Sequence, residues 1–170
     1  YDAEDYHGFV LVSGALDAPE APLEGSRRVG AEPGWNDLFP RTPAPTGAAM
    51  VLVWSTWSAH SEDALKALDR FSTERGPVSA DGVTVRHTLD ISSTPEDAQR
   101  MMAEWQVRIP GIDRTATRAF ALRTATQMPM YLLFDGHRLV GERLGAQTAE
   151  ELQAWWLQYR RHERRRQIAP

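Results

Sequence analysis

Cysteine is absent from all 170 residues. That excludes a thiolate nucleophile, a disulfide, an iron–sulfur cluster and cysteine-ligated zinc, and it leaves the sequence silent on its redox compartment. Lysine is nearly absent as well. Lys66 is the only one, and arginine supplies the rest of the basic charge, which reflects genomic base composition and not function. Histidine is sparse, and His7, His60, His87, His137 and His162 form no i, i+4 pair, so no metal site is expected. No apolar run approaches the roughly 20 residues of a membrane helix, so no membrane insertion is expected of this segment. The net charge of −4 provides no overall positive field to draw the chain onto nucleic acid or anionic lipid. No signal peptide is visible and Tyr1 is not an initiating residue, so an N-terminal piece is expected to have been removed.

What remains is ordinary globular material: 42% hydrophobic and 25% charged residues, enough for one domain with extensions and a core that needs no staples. Residues Gly8 to Leu16 form a β-branched apolar run that reads as an edge strand. From Asp17 to Gly47 proline and glycine dominate, an arm or long loop anchored by Trp35, Leu38 and Phe39. The arm through residue 47 is therefore set apart from a domain over 48–160, with a basic tail over 161–170.

Within that domain Met50–Trp54 is a continuous apolar strand, expected to be buried on both faces. Ser61 to Arg75 reads as a helix with acids in its first turn and Gly76-Pro77 as its stop. Val83–Leu89 alternates as a strand. Thr94 caps and Pro95 opens a second helix that runs to about Trp105. Val107–Ile112 reads as a short strand and Asp113–Leu122 as a short helix. Met130–Phe134 is a strand, Asp135-Gly136 signals a hairpin, and His137–Leu144 is its partner. Thr148 with Glu151 forms a capping box for a last helix carrying Leu152, Trp155, Trp156 and Tyr159. Strands alternating with helices, then a hairpin and a helix, predict an α/β fold with a mixed central sheet.

The segment Val51-Leu52-Val53-Trp54-Ser55-Thr56-Trp57-Ser58-Ala59-His60-Ser61 resembles the active-site strand and turn of thioredoxin-like proteins, where a buried strand runs into a Trp-Cys-x-x-Cys turn that opens a helix. The likeness is strongest to the periplasmic TlpA/ResA type of thiol–disulfide oxidoreductase. Gln127-Met128-Pro129 followed by Met130–Phe134 and Asp135-Gly136 resembles that family's cis-proline segment. The resemblance covers about Met50 to Tyr159 and implies a three-layer thioredoxin-like fold, with 92–122 as the family's insertion. It implies a periplasmic or secreted location and, beside Trp57, Met128 and Pro129, a groove for an extended peptide or protein partner.

Both redox positions depart from the family: they are Ser58 and Ser61. Family members need a low-pKa thiolate to attack and a second thiol to resolve, and a serine hydroxyl can do neither. Catalytic residues are therefore none as written, no cofactor is called for, and a redox-inactive protein-binding or assembly module is the expected function. The alternative is a native Trp-Cys-Ala-His-Cys oxidoreductase present here in a cysteine-to-serine form. Ser58 and Ser61 read as helix-capping serines. A serine hydrolase with His60 as base is disfavoured, since neighbours at a helix start point apart and no Gly-x-Ser-x-Gly elbow is present. His60 reads as an exposed helix-start residue. The run Arg160–Arg166 reads as a solvated helix end favoured by the dipole, or as a dock for an acidic partner. Nucleic acid is not expected there, because a short basic run without interleaved aromatics is a poor footprint. Nothing in the sequence points to an oligomeric state.

Overall fold

A computed structural model describes residues 32–74, 82–113 and 128–168. The chain divides into two units, Tyr1–Gly34 and Trp35–Pro170, and every element named below lies in the second. In chain order these are α1 (Trp35–Leu38), β1 (Ala48–Trp54), α2 (Ser61–Glu74), β2 (Val83–Leu89), α3 (Pro95–Trp105), β3 (Met130–Asp135), β4 (Arg138–Leu144) and α4 (Ala149–Ile168). The expected strand at 8–16, the stop at Gly76-Pro77 and most of the expected helix at 113–122 lie outside the described residues.

The four strands form one sheet in the order β2-β1-β3-β4. β1 runs parallel to β2 and antiparallel to β3, and β3 pairs antiparallel with β4. Every residue of β1 is buried, as its unbroken apolar sequence requires. Its side chains divide by the period of two. Ala48, Met50, Leu52 and Trp54 join a core with Leu65, Leu68, Phe71, Leu152 and Trp156 of α2 and α4. Ala49, Val51 and Val53 join a second core with Leu132, Phe134, Trp35, Leu38 and Phe39.

That second core moves the unit boundary. Trp35 packs edge-on against Phe39 and Phe134 at centroid separations of 4.9 and 5.0 Å, and its indole donates to the Thr42 carbonyl. Residues 35–47 thus cover a face of the sheet, and the unit starts at Trp35 and not after residue 47. At the other end α4 continues to Ile168, so 161–168 is helix and no separate tail.

The capping signals are realised. Thr94 accepts from the Asp97 amide at the start of α3. Thr148 and Glu151 exchange backbone-to-side-chain hydrogen bonds of 2.9 and 3.0 Å at the start of α4. Two expectations need correction. Val107–Ile112 is no regular strand: it makes one parallel bridge, Gly111 to His87, flanked by His87 N–H to Pro110 O and Ile112 N–H to His87 O. Pro110 has no amide with which to extend a ladder. The hairpin turn is Gly136-His137, one residue later than read, because Asp135 still pairs with Arg138, and Gly136 takes the left-handed φ of 62°.

Candidate functional site

β1 and β3 are adjacent and antiparallel, with Val53 opposite Met130. The turn that leaves β1 and the Met128-Pro129 segment that enters β3 therefore lie at the same end of neighbouring strands. The Met128–Pro129 peptide is cis. Pro129 is buried, and its carbonyl accepts from Gly145 N–H at 2.8 Å. Met128 is half-buried. Among the described residues no hydrogen bond engages its backbone.

The turn itself is built from hydroxyls. Ser61, the first residue of α2, is fully buried and donates to the Ser55 carbonyl at 2.7 Å. Ser58 is half-buried, and its Oγ accepts from the His60 amide at 3.3 Å while its carbonyl accepts from Ser61 N–H. The capping reading is thus half right. Ser58 satisfies an amide just ahead of the helix, but Ser61 acts as a donor, because it already lies inside the first turn. His60 is exposed, and its carbonyl receives Ala64 N–H. No hydrogen bond joins its imidazole to Ser58 among the described residues, so the pair offers no activated nucleophile of the kind a hydrolase needs.

Trp57 projects from this turn at 66% exposure, and its indole donates to Ser92 Oγ at 2.9 Å. Ser92 belongs to a support that reading the sequence missed. The buried Asp90 carboxylate accepts from the hydroxyls of Ser92 and Ser93 and from the Ser92 amide. Ser93 in turn accepts from the amide and hydroxyl of Thr56, and Asp90 N–H reaches the Trp54 carbonyl. One carboxylate at the end of β2 so holds the turn through two serines, Ser93 gripping Thr56 and Ser92 gripping Trp57. The only signal in the sequence was an Asp-x-Ser-Ser run directly after a strand.

Behind the turn, Trp54 Nε1 donates to His87 Nδ1 at 3.1 Å. Burial holds the His87 pKa down at about 4, opposed by a hydrogen bond to the Ile109 backbone. The imidazole is therefore neutral at pH 7 and serves as an acceptor for the indole.

No protein-family model matches the sequence, and no curated protein matches it. Solved structures do match. StoA from Bacillus subtilis superposes at a TM-score of 0.54 with 14% identity, covering 66% of this chain and 84% of its own. A secreted Mycobacterium tuberculosis disulfide oxidoreductase homologous to E. coli DsbE gives 0.52 and 11%, covering 67% and 83%. The exposed lipoprotein thioredoxin of Streptococcus pneumoniae gives 0.53 and 12%, covering 68% and 87%. The chain has a thioredoxin-like fold. Within it, Trp57–Ser61 occupies the turn between the central strand and its helix, Pro129 opens the antiparallel strand opposite, and this thioredoxin-like domain carries the hydroxyls of Ser58 and Ser61 at that turn.

Proposed function

We infer that the chain is a redox-inactive thioredoxin-like module that binds an extended segment of a partner protein beside Trp57, Met128 and Pro129, in a bacterial envelope or secreted setting. One observation carries the reading: the two hydroxyls at the redox positions are tied to local backbone, while Trp57 stays exposed and Met128 keeps its backbone unengaged among the described residues. An extended peptide needs an apolar rim and main-chain groups to pair with, and Trp57 and the Met128 backbone are the groups offered for these. The secreted and surface-exposed character stated for two of the similar structures supports the location.

The test pairs two measurements. The chain should not reduce insulin above background, since nothing can begin thiol exchange. Screened against an arrayed library of unstructured peptides, it should yield binders whose affinity falls at least tenfold in Trp57→Ala. Turnover in the first assay overturns redox inactivity. Binders indifferent to Trp57→Ala, or a library without binders, overturn the groove.

A second reading has one observation in its favour. Ser61 is fully buried and Ser58 is half-buried, the asymmetry expected of a resolving and an attacking thiol. On that reading the chain is a serine-substituted form of a Trp-Cys-Ala-His-Cys oxidoreductase, and the codons at 58 and 61 of the natural gene decide it.

A further inference from the structure

Away from the turn, β4 and the C-terminal half of α4 enclose an open cleft of about 480 Å³. Trp155 forms its floor, in contact with the backbone at Gly141, where an added Cβ would meet Trp155 Cζ2 at 3.3 Å. Tyr159, Arg143, Arg161, His162 and Arg165 are among the residues that line its walls. The cleft lies toward the Asp135 end of β3, since Tyr159 donates to Asp135 Oδ2 at 2.6 Å. Pro129 precedes the other end, roughly 17 Å away for a strand of this length.

The charge here opposes that of the whole molecule. The chain carries −4, yet three arginines and a histidine converge on this cleft, and none of the four has a carboxylate partner among the described residues. Two acids lie nearby: Asp135 accepts from Tyr159 and is 4.0 Å from Arg138, and Glu163 is 3.7 Å from Arg166, its Oε1 buried without a hydrogen bond among the described residues. Arg143 lies over the Trp155 ring, 5.2 Å from its centroid. A guanidinium stacked in that way keeps its in-plane N–H donors available for a carboxylate. Arg161 and Arg165 are one helical turn apart and present a second pair of forks.

We propose that this cleft is a docking site for a short acidic peptide segment of a partner protein, its carboxylates paired with Arg143, Arg161 and Arg165 and one apolar or aromatic side chain against Trp155. Volume and composition favour that occupant. The space holds a few side chains, and the aromatic floor suits an apolar anchor better than a phosphodiester track. The site is separate from the groove beside Pro129 and does not depend on it, so the domain can hold two segments at once.

The test uses the full chain at 150 mM salt and a fluorescein-labelled octapeptide of glutamates with one central tryptophan. The octapeptide should bind saturably, and its glutamine counterpart should not. The double variant Arg161→Glu with Arg165→Glu should weaken binding at least tenfold. Arg108→Glu with Arg164→Glu, an equal charge change outside the cleft, should leave it within threefold. Far-UV circular dichroism checks both, and Arg161→Gln with Arg165→Gln replaces the first pair should it lose helix. Equal losses in the two double variants would reduce the effect to bulk charge and overturn the site. Absence of saturable peptide binding, or tighter binding to phosphatidylglycerol vesicles or to an oligothymidylate, overturns the acidic-peptide assignment.

Discussion

The Ser61 hydroxyl donates to the carbonyl of Ser55 across 2.7 Å, and both residues are fully buried. A backbone acceptor inside a turn is thus satisfied by the side chain three residues past Ser58. The hydroxyl of Ser55 itself is buried with no hydrogen-bond partner among the described residues.

Opposite outcomes are expected for two alanine substitutions six residues apart. Ser61→Ala leaves the Ser55 carbonyl buried and unpaired, a loss of about 1–3 kcal/mol. Ser55→Ala removes an orphan hydroxyl and should be neutral or stabilising by up to about 1 kcal/mol. Ser58→Ala, half-buried and bonded only at 3.3 Å, should fall within about 0.5 kcal/mol of the parent, the range for substitutions away from buried features. Urea denaturation of the three variants measures all of this. A Ser55→Ala variant less stable than Ser61→Ala contradicts the assignment of donor and orphan.

Acid sensitivity should trace to His87. Its pKa is near 6.5 unfolded and about 4 in the fold, lowered by burial. Since the unfolded chain binds the proton more readily, this contribution is complete above pH 6.5, is lost as the pH falls toward 4, and is constant below that. Its full size is about 3 kcal/mol. His87→Gln keeps an acceptor for Trp54 and a donor for the Ile109 backbone without titrating. Between pH 7 and pH 4.5 the parent should lose more stability than the variant, by a good part of that amount. Parallel pH profiles would show that His87 protonates without cost.

Much of this arrangement was written in local pattern. The unbroken apolar run of β1, Thr94 before Pro95, and Thr148 three residues before Glu151 each have one cheap structural solution, and each takes it. What the sequence concealed was non-local. Trp35, Leu38 and Phe39 read as anchors from their bulk alone, but the face they pack against, around Phe134, lies about a hundred residues away and is not legible in the sequence. Pro110 cancels a strand that its apolar neighbours suggest. Asp90 sits after β2, and its hold on Thr56 and Trp57 crosses more than thirty residues of chain through serine hydroxyls, which no periodicity encodes.

Returning thiols to the turn tests the scaffold most directly. Ser58 and Ser61 are three residues apart, with Ser61 N–H bonded to Ser58 O, so both side chains belong to one tight turn at the start of α2. Ser58→Cys with Ser61→Cys should form a disulfide without backbone rearrangement. In the reduced form the half-buried sulfur at position 58 would take over the His60 amide that now reaches the serine oxygen, and it would lie at the positive end of a 14-residue helix. Both effects favour thiolate, so this thiol should titrate below its free value of about 8.5. A stabilised thiolate stabilises the reduced pair, which makes the disulfide the better oxidant. Thiolate absorbance against pH and a glutathione redox titration measure the two quantities. Failure to pair would mean that the turn is not of thioredoxin shape, whatever the sheet order. Pairing with a first thiol at or above its free value would keep the fold and remove the roles given to the His60 amide and the helix end. Pairing with a depressed pKa and efficient oxidation of a reduced test protein would shift the weight from a native binding module to a silenced oxidoreductase.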